Sequence, residues 1–379
     1  MYCRLAKLQT GSFSTVYRAY DSENKRDVAL KVVEKPRDLR TRTKLSQLIA
    51  NEYRVLCKLG SRHPNVCALV DFYQAHESFV FVMEFASQGD LYDVIKNWRT
   101  ASRATSGRVP APSLMPVDFA RLVRQLCSAI NYAHQLGVAH RDIKPENVLL
   151  DHAGNVKLAD WGLSCESMYS DDLRIGTEKY LAPETFEECY NTFYADYWSL
   201  GVTFLYVMFG ACPFRNASLQ DHTTNSNFAR FVADRHSFIS EYYFQTSLGD
   251  TQQKWRGGFH KSNIARFEPA YWLSFPGTPK NLDRNQLLLL CATCVVTCLL
   301  PMNPLSRSML EFSAKIESFF SDESSNLETD DLNSDFFYSG LVMNPDVVAC
   351  IYGDKSSALP STNSSFASSM DYLADELEC

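Results

Sequence analysis

The spacing of apolar residues divides the chain into a part with strand character and a part with helix character. In residues 1–86, short apolar stretches such as Phe79–Met83 predict the strands of a sheet. One helix is predicted there over roughly 43–59, because apolar side chains recur at helical spacings: Leu45, Leu48, Ile49, Val55 and Leu56. Pro64 follows, ends this helical pattern and opens the next strand.

Residues 87–320 are expected to be mainly helical, and Val117–Leu136 predicts the first long helix. Two stretches interrupt the helical pattern. One is Trp98–Pro116, which is rich in serine, proline and arginine, and the other is an aromatic-rich segment at about 215–279. We interpret both as surface elaborations, because insertions of this kind usually lie on the outside of a domain.

A run of fourteen mostly apolar residues, Leu287–Leu300, is too short to span a bilayer and predicts a buried helix. Cys291, Cys294 and Cys298 lie in this run at helical spacing, with no histidine nearby. We interpret them as small core residues rather than metal ligands, since free cysteine behaves as a small hydrophobe. The twelve cysteines of the chain are scattered, with no secretory leader, which indicates reduced thiols in an intracellular protein.

The composition changes at Ser321. Residues 321–379 contain twelve Asp and Glu, one Lys and twelve serines, so their net charge is −11, whereas the whole chain has a net charge of −7. A segment of this composition buries too little apolar surface to offset the entropy lost on ordering. We therefore predict a mostly disordered, acidic tail.

The residues that suggest chemistry are concentrated in His140–Leu149. Phosphoryl transfer needs a carboxylate near the acceptor hydroxyl, metal ligands under the phosphates and a lysine that spreads charge. Asp142, Asn147 and Lys144 provide one residue of each kind on one loop, directly before an apolar strand. This spacing favours a catalytic loop over a polar turn without function.

Further motifs follow in a fixed order. Asp160-Trp161-Gly162 begins thirteen residues after Asn147, and Ala182-Pro183-Glu184 begins twenty-two residues later. Upstream, Val28–Lys31 ends in a lysine, and the predicted helix carries an acidic partner for it in Asn51–Leu56. With these motifs in this order, the chain resembles the eukaryotic protein kinase superfamily. The lysine two residues after the catalytic aspartate is typical of the serine/threonine type.

The resemblance implies an α+β, bilobal kinase fold. A small β-rich lobe is expected over 1–86 and a large helical lobe over 87–320, the latter containing the insert at about 215–279 and followed by the tail. It also implies transfer of the γ-phosphoryl of MgATP to serine or threonine of protein substrates. We expect a monomer without a membrane span or a nucleic-acid partner, located in the cytoplasm or nucleus.

The same resemblance assigns catalytic roles. Asp142 is expected to orient or deprotonate the acceptor hydroxyl, and Lys144 to steady the γ-phosphoryl group. Lys31, held by Glu52, is expected to contact the α- and β-phosphates. Thr177 is expected to bond the pair formed by Asp142 and Lys144.

Asn147 and Asp160 are the expected magnesium ligands, because Mg²⁺ prefers oxygen donors and needs few of them from the protein. The expected nucleotide contacts are Gly11, Val16, Ala29, Lys31, Glu84, Ala86, Asp90 and Asn147. Two structural contacts are also implied. Asp196 is expected to accept backbone hydrogen bonds under the catalytic loop, and Glu184 to pair with Arg307.

The chain departs from the family at the phosphate loop. The family's three glycines map onto Gln9, Gly11 and Ser14, so only the middle glycine is kept. Glycine allows the backbone to approach a ligand closely, and the loss of two is expected to weaken nucleotide binding without preventing it. Trp161 replaces the usual phenylalanine and is expected to complete an apolar stack with Leu56, Leu69 and His140. Together with the motif around Asp142, Asp160-Trp161-Gly162 resembles certain fungal serine/threonine kinases.

Activation is a separate question. Arg141 precedes the catalytic aspartate, and kinases of this type usually need a negative charge on the activation segment to offset that arginine. Asp171 and Asp172 lie near the usual site and predict a built-in charge. The alternative is a regulatory phosphate on Ser164, Ser167, Tyr169 or Ser170.

Substrate preference depends on two acids. Asp90 and Glu146 match acids that basic-directed kinases offer to an arginine three residues before the phosphoacceptor, unless Asp90 serves only the ribose of ATP. Val207 matches the position of a further acid, so a second basic contact is expected to be missing.

Two other functions remain open on the sequence alone. A pseudokinase scaffold, which binds nucleotide or partners with little turnover, is suggested by Gln9 and Ser14. A small-molecule phosphotransferase of similar fold would lack the segment Gly176–Glu184, which holds a peptide substrate.

Overall fold

The computed structural model describes residues 1–11, 14–104, 116–187, 189–218, 226–245, 264–265, 272–277 and 282–320. The predicted acidic tail, 321–379, lies outside these residues, as do parts of the predicted insert. The described residues belong to one compact unit that ends at Ser321.

A five-stranded antiparallel sheet comes first in the chain, in the spatial order β1-β2-β3-β5-β4. Its strands are β1 (Tyr2–Thr10), β2 (Ser14–Asp21), β3 (Arg26–Glu34), β4 (Leu69–Gln74) and β5 (Ser78–Glu84). One small core lies on the sheet and consists of Ala19, Val28, Leu30, Val32, Val80 and Val82. Strand β1 is at an edge of the sheet, and most of its side chains are exposed.

Helix α1, Leu39–Leu59, packs on the sheet and begins one turn before the predicted helix. The earlier start follows from Asp38, whose carboxylate accepts a hydrogen bond from the backbone N–H of Thr41 and caps the helix. The helix buries Ile49, Val55, Leu56 and Leu59 together with one charged residue, Glu52.

The remainder is mainly helical, which confirms the predicted bilobal α+β fold. Its helices are α2 (Leu91–Ala104), α3 (Phe119–Gln135), α4 (Thr192–Phe209), α5 (Asn227–Ala233), α6 (Arg235–Tyr243), α7 (Arg284–Cys298) and α8 (Met309–Phe320). Its short strands are β6 (Gly89–Asp90), β7 (Val117–Asp118), β8 (Val148–Leu150), β9 (Val156–Leu158), β10 (Tyr169–Ser170), β11 (Tyr190–Asn191), β12 (Phe244–Gln245), β13 (Ile264–Ala265) and β14 (Leu273–Ser274). No helix within the described ranges has the length and apolar character needed to cross a bilayer.

Two predictions for this part were wrong. The supposed loop that starts at Trp98 is helical as far as Ala104, because Trp98 lies with Leu91 and Ile95 on a buried face of α2. The predicted first helix does not begin at Val117. That residue belongs to β7, which pairs with β14, and Asp118 then caps α3.

The described part of the predicted insert is not a surface elaboration. Helices α5 and α6 place Phe228, Phe231 and Phe238 in the core, where each is at least 97% buried. Phe228 and Phe231 pack edge-on against Trp198 of α4, with ring centroids 6.3 and 6.0 Å away. The aromatic side chains of this stretch therefore stabilise the large lobe.

Helix α7 is buried as predicted. Cys291, Cys294 and Cys298 are free thiols that face the core. Burial raises the pKa of the Cys294 thiol to about 11.

Candidate active site

The loop His140–Asn147 lies between α3 and β8 and is held from below by a buried carboxylate. Asp196, near the start of α4, accepts hydrogen bonds from the backbone N–H groups of His140 and Arg141, both at 2.8 Å. His134 bonds the same carboxylate at 2.8 Å. These contacts confirm the predicted role of Asp196, and they fix a loop in which Arg141 has a left-handed φ of 64°.

Asp142, Lys144 and Thr177 form one connected group. The Lys144 ammonium donates to Asp142 Oδ2 at 2.6 Å and to Thr177 Oγ1 at 2.8 Å. The backbone N–H of Thr177 donates to Asp142 Oδ1 at 2.9 Å. The predicted contact of Thr177 with the pair is therefore confirmed, and the carboxylate of Asp142 is oriented by partners on both oxygens.

Gly176 allows the activation segment to approach the catalytic loop. Its φ is +117°, and a Cβ atom there would lie 2.4 Å from the carbonyl oxygen of Arg141. Only glycine fits without movement of one of the two backbones. This close approach is what places Thr177 beside Asp142.

Lys31 connects the two lobes. Its ammonium lies 2.6 Å from Glu52 Oε1 of α1 and 2.8 Å from Asp160 Oδ1, just after β9. Burial disfavours the charged lysine, but the two carboxylates outweigh this, so the pKa of Lys31 is raised above its ordinary value. Lys31 in turn lowers the pKa of Asp160 despite its burial, which keeps that carboxylate ionised.

Asn147 and Asp160 fit the chemistry of a magnesium site. The amide nitrogen of Asn147 donates to the carbonyl oxygen of Asp142 at 2.8 Å and to its Oδ2 at 3.1 Å. This use of the nitrogen leaves the amide oxygen as the atom available to a cation. An amide oxygen and an ionised carboxylate are donors that Mg²⁺ prefers.

The residues predicted to surround the adenine lie on neighbouring strands. Val16 on β2 is paired with Lys31 on β3, and Ala29 is the second residue before Lys31. The carboxylate of Glu84, at the end of β5, forms an ion pair with Lys157, and its backbone N–H donates to Ala68 at 2.9 Å. The Sγ of Cys67 donates weakly to the carbonyl oxygen of Glu84 at 3.6 Å, and a contact of this residue with the adenine stays a prediction.

The remaining nucleotide positions follow this strand. Ala86 is buried two residues after β5, and Asp90 lies on β6. Asp90 Oδ1 accepts the backbone N–H of Asp93 at 2.8 Å. Burial, followed by smaller effects that include the charge of Glu146, raises the pKa of Asp90.

The phosphate loop closes with one short backbone bond, from the N–H of Gly11 to the carbonyl oxygen of Ser14 at 2.8 Å. A Cβ atom on Gly11 would meet Ser14 at 3.6 Å, which is ordinary contact. The fold itself therefore does not require glycine here, and close approach to a phosphate stays a prediction. Ser12 and Phe13 lie outside the described residues.

Trp161 occupies the predicted stack. It is fully buried, and its ring lies 4.5 Å from the ring of His140, centroid to centroid. The second predicted contact is also confirmed, since both guanidinium nitrogens Nη1 and Nη2 of Arg307 donate to the carboxylate of Glu184. Both contacts brace the catalytic loop and activation segment rather than touch a ligand.

The activation segment carries the predicted built-in charge. Asp172 Oδ2 accepts from Arg141 Nη1 at 2.8 Å, and the carbonyl oxygen of Asp172 accepts from Tyr190 at 3.1 Å. Arg141 Nε also donates to the carbonyl oxygen of Leu163 at 2.7 Å. Asp172, rather than Asp171, is therefore the residue that meets the arginine.

Glu146, a predicted substrate contact, has an unusual carboxylate. Oε2 of Glu146 is buried and has no hydrogen-bond partner within the described residues. A cavity of about 480 Å³ opens next to Thr177 and is lined in part by Tyr206 of α4. Val207, where a further acid was expected to be missing, is fully buried, and its neighbour Tyr206 lines this cavity. Neither residue is acidic.

No pattern in the sequence predicts a role for Glu166. This residue of the activation segment forms ion pairs with Arg54 and Lys58 of α1. A pair of basic residues on a helix and a distant acid do not by themselves predict a contact.

A lysine paired with a helix glutamate, above a loop that carries an oriented aspartate, defines the class of the protein kinases. Comparison with family models agrees: residues 2–257 match the protein kinase domain, and the chain belongs to this family.

Individual relatives extend the match. A probable serine/threonine-protein kinase of Saccharomyces cerevisiae, FMP48, is 37% identical over 346 residues, which are 86% of this chain and 88% of the yeast protein. CBL-interacting serine/threonine-protein kinase 16 of Arabidopsis thaliana is 37% identical over 221 residues, or 55% of this chain and 44% of the plant protein. The serine/threonine-protein kinase KSP1 of S. cerevisiae is 32% identical over 201 residues, or 50% of this chain and 18% of that protein.

Proposed function

We propose that this protein is an active serine/threonine kinase that transfers the γ-phosphoryl group of MgATP to protein substrates. The observation that carries the proposal is the group formed by Asp142, Lys144 and Thr177, in which both oxygens of the carboxylate already accept hydrogen bonds. The similarity to a probable serine/threonine kinase over most of both chains supports the same acceptor class.

In this proposal Asp142 orients the acceptor hydroxyl and takes its proton as the phosphoryl group is transferred. Lys144 stabilises the negative charge on the γ-phosphoryl oxygens, and Lys31 stabilises that on the α- and β-phosphates. Magnesium, when bound, neutralises phosphate charge, and the residues that would hold it are Asn147 and Asp160.

A pseudokinase scaffold is the second candidate, and the phosphate loop favours it. Gln9 and Ser14 stand where the family has glycine. The other groups that turnover requires are in contact, however: Lys31 bonds both Glu52 and Asp160. An assembled ion pair of this kind supports turnover rather than binding alone.

Purified protein incubated with labelled ATP and a mixed peptide substrate separates the two candidates. Active kinase is expected to label serine and threonine, and Asp160→Asn is expected to lose the signal while it keeps the fold. Wild-type protein that binds nucleotide but transfers no more label than Asp160→Asn would support the scaffold.

We further propose that substrates carry arginine three residues before the phosphoacceptor. The support is the buried, unpartnered Oε2 of Glu146 together with the nearby carboxylate of Asp90. A buried carboxylate oxygen without a partner is costly, and a guanidinium group would satisfy it.

Regulation is the final part of the proposal. Asp172 pairs with Arg141 as a carboxylate, where related kinases use a phosphate. The activation segment is then held without modification, and the enzyme is active as synthesised.

A further inference from the structure

Helix α1 carries Glu52, the partner of Lys31. The position of this helix therefore determines whether the ion pair between Lys31 and Glu52 forms. A row of polar side chains runs along a different face of the helix from Glu52. Asn51, Arg54 and Lys58 are spaced at i, i+3 and i+7, so they lie on one side of α1. All three contact the activation segment.

The contacts converge on a short stretch of that segment. Glu166 accepts from Arg54 Nε at 2.7 Å and from Lys58 Nζ at 2.8 Å, with one oxygen for each cation. The amide nitrogen of Asn51 donates to the carbonyl oxygen of Ser164 at 3.0 Å, and Arg54 donates to Asn51 at 2.8 Å. The carboxylate of Glu166 and the carbonyl group of Ser164 thus hold three side chains of α1 against the activation segment.

The other end of this connection is fixed to the catalytic loop. Between Ser164 and Glu166, the backbone of Cys165 exchanges two hydrogen bonds with Ala139, at 2.9 and 3.1 Å. Ala139 directly precedes His140, whose N–H is held by Asp196. Glu166 therefore projects from backbone that is anchored to the base of the catalytic loop.

We propose that Glu166 is a positioning residue that clamps α1 in the orientation in which Glu52 meets Lys31. This inference rests on the proposed kinase activity. Without the carboxylate, Arg54 and Lys58 have no negative partner on the segment, and α1 is free to populate orientations in which the Lys31 pair is open. Glu166 touches neither nucleotide nor substrate, so its effect on turnover passes through the helix.

Charge reversal and its compensation test the clamp. We expect Glu166→Lys to lower kcat about tenfold, since two partly exposed ion pairs are replaced by repulsion, with a smaller change in the KM for ATP. The pair Arg54→Glu/Lys58→Glu is expected to have a similar effect. The triple variant restores both pairs with opposite polarity and is expected to recover kcat to within about threefold of wild type. A triple variant no better than Glu166→Lys would overturn the proposal.

The ion pair of Arg230 with Glu241 provides a matched control. Its distance is 2.8 Å, and the Glu241 side chain is 23% exposed, the same fraction as Glu166. This pair joins α5 to α6, two helices that come well after α1 and the catalytic loop in the chain. Glu241→Lys is expected to leave kcat unchanged, and an equal loss there would mean that any surface charge reversal has this effect.

A second readout does not depend on turnover. Hydrogen exchange of the backbone amides in Leu39–Leu59 is expected to be faster in Glu166→Lys than in wild type, and to return toward wild type in the triple variant. Unchanged exchange in Glu166→Lys would overturn the proposed clamp, whatever the kcat of that variant. Inactive wild-type protein would overturn the proposed function, while the exchange rates would still decide for or against the clamp.

Discussion

The floor and the roof of the nucleotide cleft are built very differently in this protein. On the floor, Asp142 is bonded by Lys144, by the backbone of Thr177 and by Asn147. On the roof, the phosphate loop is closed by one backbone bond between Gly11 and Ser14. The catalytic loop is thus held by several hydrogen bonds, whereas the described residues of the phosphate loop contribute one.

The difference follows from where each region lies. The catalytic loop rests on α4, a helix of which Asp196 and most neighbours are buried, so its backbone bonds are made in a dry environment. The phosphate loop joins β1 to β2 at the exposed edge of the sheet. The catalytic loop is therefore held by buried contacts of the large lobe, whereas the phosphate loop lies at an exposed edge of the sheet.

Breaking the floor should have the largest effect. Asp142→Asn keeps the shape of the side chain but removes the proton acceptor, and we expect kcat to fall about a thousandfold. Lys144, Asn147 and Thr177 all donate to the carboxylate, so the amide nitrogen that this substitution introduces would face a donor, and we expect a small drop in the unfolding midpoint. The check is a steady-state assay with a thermal melt of the same preparation; a loss of activity that is matched by a large drop in stability would mean that Asp142 acts mainly on the fold.

Asp172 tests whether the floor is ordered without phosphorylation. We expect phosphatase-treated wild-type protein to keep its activity and Asp172→Asn to lose about tenfold in kcat, because a charged hydrogen bond to Arg141 is lost. Asp171→Asn is the matched control, since the same change one residue away leaves that bond in place. Activity that disappears on phosphatase treatment would show that a phosphate on the segment is required instead.

The floor could be predicted because Asp142, Lys144 and Asn147 form one local motif. The family resemblance that this motif supports then implied contacts with residues that are distant in the sequence. Asp196, Thr177 and Arg307 lay where their roles in the family required. The clamp by Glu166 was not predictable, since its partners lie on α1 and no local pattern joins the two segments.

Errors in the predicted elements have a common cause. The last residues of helix α2, from Trp98, were taken as a loop from their polar composition, although Leu91, Ile95 and Trp98 form one buried face at helical spacing. The aromatic residues of α5 and α6 were assigned to the surface because an insertion suggests a surface position. In both places the spacing of apolar side chains was a better guide than composition.

Glu146 and Asp90, the proposed contacts of the substrate arginine, should affect specificity more than turnover. With wild type, we expect a peptide with arginine at the third upstream position to have a kcat/KM about tenfold above that of its alanine counterpart. Glu146→Gln should reduce this ratio to about twofold without changing the KM for ATP. The four combinations of enzyme and peptide form a double-mutant cycle, and a ratio that is equal for both enzymes would exclude Glu146 as the arginine contact.

Asp90→Asn separates the two roles that were open for this residue. A contact with the ribose predicts a higher KM for ATP with both peptides. A contact with arginine predicts a loss confined to the arginine peptide. The raised pKa of Asp90 reflects its burial and would favour a cationic partner that restores the ionised form.

Restoring the family's glycines in the phosphate loop should have the smallest effect. It also tests most directly the contrast between the roof and the floor of the cleft. Gln9→Gly/Ser14→Gly recreates the glycines of the family, and we expect the Kd for ATP to fall about threefold, since backbone N–H groups can then approach the phosphates. The gain is limited because glycine also raises the entropy lost when the loop closes. Calorimetric titration with ATP and magnesium measures it, and Ser22→Gly, in the turn at the far end of β2, is a control for added backbone freedom. An unchanged or weaker affinity would mean that this loop binds phosphate through its side chains, so that the roof is specialised in this chain rather than depleted.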